Sequence, residues 1–209
     1  MDIVYQNAQA IVVDKPHGWL TTPSRDAADP RPCLGRKLQS RIGSQIFPVH
    51  RLDFEVSGLV LFALDKDSHR TAQAWFEDGL VGKTYQALSK ANGQPLTEWQ
   101  EWRSQIVRGK RRSFSAPHGK VAVTHARVVR ELDGHWLWEL MPLTGRPHQL
   151  RFEMAQQGCP IVGDTLYGGE SHSAPNQIFL RAIRLDFKDC GEARLGLPVV
   201  IETEPLQIL

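Results

Sequence analysis

The sequence predicts an α+β fold: a largely antiparallel mixed sheet flanked by helices and loops. Short β-branched or alternating stretches follow one another with few helices between them, and strands that succeed each other without crossover helices pair antiparallel. Asp133-Gly134 separates two alternating stretches, a strong hairpin signal. Helical spacing is confined to three short segments. With 209 residues and 41% hydrophobic content, the chain can bury a sizeable core, and one domain over residues 1–209 is expected.

The elements follow in order. Residues 10–14 form a β-branched run, ended by Lys15-Pro16-His17-Gly18, where Pro and Gly dictate a turn. Residues 21–32 hold Pro23, Pro30 and Pro32 among small and charged residues and read as a loop. A short helix is expected over residues 34–42, with Arg36, Lys37 and Arg41 outward. Residues 59–64 are an apolar run of strand length. Ala72, Trp75, Phe76 and Leu80 lie at helical spacing within residues 66–80, with Asp65 or Asp67 as cap, so Trp75 and Phe76 are read as core. Residues 83–88 alternate like a strand. Residues 92–119 are polar and read as irregular, and they contain the basic run Arg108-Gly109-Lys110-Arg111-Arg112. Alternation returns over residues 120–129 and 134–142. Pro147 suits a first helical turn and Gly158 a helix end, giving a helix over residues 147–157 with His148, Arg151 and Phe152 on one face. Residues 178–187 and 197–203 supply two further strands.

Composition narrows the function. A net charge of +2 neither demands nor excludes a polyanionic partner, so a local basic patch must carry that inference. Cys33, Cys159 and Cys190 are odd in number and lack metal-ligand spacing, which favours reduced thiols, a cytoplasmic location and no metal site. No apolar run approaches the ~20 residues that cross a bilayer, and no membrane partner is expected. No Gly-x-Gly-x-x-Gly follows a strand, which disfavours dinucleotide enzymes.

The chemistry concentrates in His50-Arg51-Leu52-Asp53-Phe54-Glu55-Val56-Ser57-Gly58-Leu59, where a charged cluster meets an apolar strand. An Asp beside an Arg keeps its charge, and an oriented carboxylate acts as nucleophile or base. The other reading is a structural ion pair. Arg184-Leu185-Asp186 repeats the tripeptide inside an ordinary alternating stretch, so the tripeptide alone decides nothing.

The longer pattern decides more. His50-Arg51-Leu52-Asp53 followed after two residues by Val56-Ser57-Gly58-Leu59 resembles the signature of the RluA family of pseudouridine synthases, which normally has Thr at the position of Val56. Lys15-Pro16-His17-Gly18, the Lys83-Thr84-Tyr85 block and Leu143-Thr144-Gly145-Arg146-Pro147-His148-Gln149-Leu150-Arg151 resemble further family blocks, in the family's order. Phe152-Glu153 stands where the family commonly has Val-His.

The resemblance implies a single pseudouridine synthase catalytic domain, without an appended RNA-binding domain, that isomerises a specific uridine in structured ribosomal or transfer RNA. It implies Asp53 as the catalytic carboxylate, Arg151 as its ion-pair partner and Tyr85 against the base, where a flat ring stacks and a hydroxyl takes part in proton transfer. On the same ground Arg51 contacts the extruded nucleotide, and His50, Arg146 and His148 belong to the substrate site. Arg108, Lys110, Arg111 and Arg112 are the expected phosphate contacts of a basic loop, the alternative being a solvated loop. No cofactor is expected, and the protein is expected to be a monomer with an RNA stem-loop as partner. Two other readings stay open: a non-catalytic RNA-binding or folding module on the same fold, and a glycosidic hydrolase. The hydrolase normally needs two carboxylates, and only Glu55 is close to Asp53 in sequence.

Overall fold

The computed structural model describes residues 1–172, 175–191 and 194–207. They gather into two compact units, Met1–Gly82 with Ala182–Glu204, and Lys83–Arg181 with Pro205–Leu209.

In the first unit, β1 (Asp2–Gln6) pairs antiparallel with β2 (Ala10–Lys15), and β2 with β4 (Ser57–Ala63). The two-residue strand β3 (Phe47–Pro48) adds to β4. Strand β10 (Leu180–Asp186) follows β4 in the sheet and pairs antiparallel with β11 (Val200–Glu202). β2 and β4 are buried on both faces, which is why they read as unbroken apolar runs rather than alternating ones. Val12, Leu59 and Leu61 pack with Ala72, Trp75, Leu185 and Phe187. Burial of each such Val, Leu or Phe side chain contributes roughly 1.5–3 kcal/mol.

Helix α1 (Leu34–Ile42) has the expected bounds. It buries Leu34 and Leu38, four residues apart, and ends at Gly43 in the left-handed conformation. Helix α2 (Lys66–Glu77) is capped by Asp65, whose carboxylate accepts from the Asp67 and Ser68 amides. Trp75 is buried as read from the sequence, and Phe76 is half-buried.

The second unit orders its strands β5 (Gly82–Lys90), β9 (His135–Pro142), β8 (Lys120–Leu132), β6 (Gln100–Arg108) and β7 (Ser113–Ser115), every neighbour antiparallel. The Asp133-Gly134 turn closes the β8–β9 hairpin with both residues at positive φ, 47° and 74°, the backbone an Asp-Gly pair tolerates. Trp102, Trp136 and Trp138 cluster beneath this sheet's surface, and the Trp138 indole donates to Ser89 Oγ at 2.9 Å.

Two expectations are corrected here. Residues 92–119 are not irregular throughout, because β6 and β7 lie inside them. β6 buries only Trp102 and Ile106 fully and leaves most of its other side chains outward, so its polar composition concealed a strand with one covered face. The helix expected from Pro147 begins later, as α3 (Gln149–Gln156), because His148 takes φ 52° and ψ 25° and cannot join it.

No described helix is long and apolar enough to cross a membrane.

Candidate active site

Asp53 is half-buried in the connection between β3 and β4, and its backbone is held from both sides. Thr21 Oγ1 donates to the Leu52 carbonyl at 3.0 Å and accepts from the Leu52 amide at 3.2 Å. The Val56 amide closes a turn on the Asp53 carbonyl at 3.2 Å, and the Gly18 amide reaches the Phe54 carbonyl at 2.9 Å. The Lys15-Pro16-His17-Gly18 turn and the Asp53 turn, 35 residues apart in sequence, are thus one structural piece.

Lys15 completes that piece. Its side chain is fully buried, and Nζ donates to the carbonyls of Trp19 (2.7 Å), Pro16 (3.1 Å) and Phe54 (3.3 Å). Burial lowers its pKa from 10.5 to about 8, against the opposing pull of the Asp53 and Glu55 carboxylates. Lys15 is therefore a cation that couples to Asp53 within this unit. The expectation that adjacent Arg51 serves this purpose is corrected: Arg51 is exposed and makes no ion pair among the described residues. That leaves its guanidinium available to a ligand, and it removes an Arg51–Asp53 structural pair from consideration.

The rest of the motif has structural duties. A Cβ on Gly58, which sits at φ 111°, would lie 2.1 Å from the Ala182 carbonyl oxygen, so only glycine fits. His50 Nε2 accepts from the Leu61 amide at 3.1 Å, and its ring stacks on Phe76 with centroids 4.5 Å apart. This imidazole is built into the scaffold that presents Asp53. Val56, where the family normally has Thr, is buried.

In the second unit Tyr85 lies half-buried on β5 opposite Leu140 of β9. Lys83, two residues before it, has its pKa lowered by burial. Arg151 is buried on α3, contrary to the ordinary surface arginine its composition alone suggests. Its Nε donates to Asp164 Oδ2 at 2.6 Å and Nη2 to Oδ1 at 2.8 Å, a bidentate pair with both side chains almost wholly excluded from solvent. The guanidinium carbon also stands 5.5 Å from the Tyr167 ring centroid. A buried charge pair in this geometry fixes an arginine rigidly, because each alternative rotamer strands a charge.

Asp164 and Tyr167 were missed by sequence reasoning. A carboxylate 13 residues from its arginine has no local periodicity to reveal it.

The other expected contacts fall around α3. Arg108 Nη1 meets His148 Nε2 at 3.1 Å, and His148 Nδ1 meets the Tyr167 hydroxyl at 3.1 Å. Lys110, Arg111 and Arg112 are exposed on the turn between β6 and β7, with Arg112 reaching the Leu166 carbonyl at 3.5 Å. Arg146 donates from Nε to the Val121 carbonyl at 2.8 Å. Glu153, at the position where the family commonly carries His, is buried and accepts from Ser104 Oγ (2.7 Å) and Thr124 Oγ1 (2.6 Å). Burial raises its pKa, opposed by these hydrogen bonds. The carboxylate ties α3 to β6 and β8. Among the described residues no cluster of His, Cys, Asp and Glu has the geometry to hold a metal ion.

Residues 9–156 match the family model described as RNA pseudouridylate synthase. Ribosomal large subunit pseudouridine synthase C of Rickettsia felis is 34% identical over 174 residues, covering 80% of this chain and 56% of the relative. tRNA pseudouridine synthase C of Salmonella typhi is 29% identical, covering 97% of this chain and 84% of the relative. The chain thus spans little more than half the length of the Rickettsia enzyme. Among solved structures, human RNA pseudouridylate synthase domain containing 1 superposes with a TM-score of 0.74 at 27% identity, covering 90% of this chain and 78% of that one.

Proposed function

This chain belongs to the RNA pseudouridylate synthase family, of the RluA type, and we propose that it isomerises a specific uridine to pseudouridine in structured ribosomal or transfer RNA. The observation that supports this reading is the Asp53 turn, clamped by Thr21 and bonded at the Phe54 carbonyl by the buried Lys15. A carboxylate carried on a turn whose backbone is fixed by Thr21 and by the buried Lys15 is held in one orientation, as an attacking or proton-abstracting group must be.

The reaction breaks the C1′–N1 bond of uridine, turns the base and forms a C1′–C5 bond. The hydrogen leaving C5 is balanced by one gained at N1, with no redox change and no hydrolysis. Asp53 either attacks C1′ or removes the C2′ proton, and both routes need the ionised carboxylate. Tyr85 stacks on the extruded base and assists deprotonation at C5, and Arg151, held by Asp164, supplies the fixed guanidinium that the family resemblance assigns to the catalytic step. Arg51 fills the space the nucleotide leaves. Extruding the base costs stacking energy, least in a loop, so a short stem-loop is the favoured partner.

Tritium release from RNA labelled at uridine C5 tests the reaction directly, because only loss of the C5 hydrogen yields the signal. Wild-type protein releases tritium, and Asp53→Asn and Asp53→Ala release none while still binding the RNA. Binding without release by the wild type would favour a non-catalytic RNA-binding module.

A further inference from the structure

We infer that His148 and Tyr167 are positioning residues that connect the basic β6–β7 turn to Arg151, so that a phosphate captured on the turn sets the catalytic arginine. The inference rests on the proposed action on RNA, and it concerns contacts within the second unit alone.

Tyr167 is the hub. Its hydroxyl oxygen accepts from the Ser113 amide at 2.7 Å, where the chain leaves the turn and enters β7. The same oxygen lies 3.1 Å from His148 Nδ1. Arg108, at the other end of the turn, meets His148 Nε2 at 3.1 Å. A guanidinium only donates, so Nε2 is the acceptor, the imidazole proton sits on Nδ1, and His148 donates to the tyrosine oxygen. The hydroxyl proton faces the Ser113 carbonyl at 3.4 Å.

The other side of the hub touches the arginine. The Tyr167 ring lies against the Arg151 guanidinium, and the Tyr167 amide donates to the backbone carbonyl of Asp164 at 3.0 Å. Asp164 is the carboxylate that clamps Arg151. Ser113 Oγ adds a link to the Pro147 carbonyl at 2.7 Å, directly before His148. One end of the turn is therefore bonded to Tyr167 directly, through Ser113, and the other through Arg108 and His148, and Tyr167 packs on Arg151 and bonds the backbone of its clamp.

The backbone of His148 supports the assignment. A non-glycine residue at φ 52° is disfavoured and persists only where its surroundings fix it. Here the two ring nitrogens are held by Arg108 and Tyr167, and the ring packs edge-on against Tyr167 with centroids 5.8 Å apart. Lys110, Arg111 and Arg112 at the turn are exposed and basic, suited to RNA phosphates. The residues at the tip govern affinity, whereas His148 and Tyr167 govern turnover.

Tyr167→Phe keeps the ring and its packing and removes only the oxygen. In the isomerisation assay it lowers kcat about tenfold with little change in KM for RNA, whereas Arg111→Ala raises KM more than it lowers kcat. Tyr167→Phe combined with Arg108→Ala gives less than the product of the single effects on kcat, because both cut one chain of contacts. A structural readout accompanies the kinetics: the NMR signal of Arg151 Nε–H, followed while a short uridine-containing stem-loop RNA is added. In the wild type it shifts together with the Lys110 and Arg111 amides. In Tyr167→Phe the amides still shift and Arg151 does not.

Equal Arg151 responses in the two proteins would overturn the inference, as would a silent Arg151 beside responding turn amides, or turn amides that ignore the RNA. Multiplicative kcat effects would do the same. Absence of pseudouridine formation by the wild type would instead count against the proposed reaction, and the NMR titration then judges the connection separately.

Discussion

Lys15→Met separates the electrostatic function of a buried lysine from its packing. Lys15 is fully buried with a pKa near 8, and its displacement from 10.5 corresponds to roughly 3 kcal/mol of penalty on the charged form. The sign follows from proton counting. Between about pH 8 and 10.5 the unfolded chain keeps this proton and the folded chain does not, so folding releases it. Stability contributed by this group then rises with pH by about 1.4 kcal/mol per pH unit. Methionine carries no such proton. The wild-type-minus-variant difference in unfolding free energy is therefore flat below about pH 8 and climbs by up to ~3 kcal/mol towards pH 10.5. Near neutrality two effects offset each other: methionine escapes the desolvation penalty, but the Pro16 and Trp19 carbonyls lose a donor, at ~1–3 kcal/mol for each buried group. Urea unfolding of both proteins at several pH values between about 7 and 10 measures the difference, since groups remote from Lys15 cancel. Isomerisation by the variant falls at least about tenfold at neutral pH through loss of the buried cation that couples to Asp53. A pH-independent stability difference would refute the buried, depressed lysine, and full activity in a folded Lys15→Met would refute its service to Asp53.

Further expectations follow from the same geometry. Gly58→Ala places a Cβ 2.1 Å from the Ala182 carbonyl oxygen at φ 111°, and thermal melting will report a loss of more than about 3 kcal/mol or failure to fold. Asp164→Ala leaves the Arg151 guanidinium buried without its bidentate partner and costs about 3–5 kcal/mol, read by denaturant midpoint. Lys110→Ala with Arg111→Ala weakens RNA binding and makes the slope of log affinity against log salt less steep by about 1–2, read by fluorescence titration. An unchanged slope would remove the turn from the interface.

Much of the fold was legible because its signals are local. The α1 bounds, the Asp65 cap and the Asp133-Gly134 turn each depend on residues within a few positions of one another. β6 was not legible: with polar residues at most of its positions, only Trp102 and Ile106 marked its covered face, and tertiary burial overrode a weak propensity. Helix α3 starts late for a comparable reason, since contacts from β6 and the Thr165–Tyr167 turn hold His148 in a conformation that no sequence rule assigns. The site divides the same way. Asp53, Tyr85 and Arg151 were singled out by motifs, but the groups that support them are distant in sequence. Lys15 reads in the sequence only as part of a turn, and its burial against the Phe54 carbonyl depends on pairing with a strand over 40 residues later. Neither Asp164 nor Tyr167 has a role legible in the sequence, because an ion pair and a ring contact across 13 and 16 residues leave no periodic trace.

The central claim is that Asp53 drives conversion of uridine to pseudouridine in a particular RNA. Mapping pseudouridine by carbodiimide chemistry across total RNA, from cells with the protein, without it, and restored with wild type or Asp53→Ala, tests that claim most directly. One modified uridine will vanish on removal and return only with the wild type. A modification restored equally by Asp53→Ala, or an RNA population unchanged by removing the protein, would contradict it.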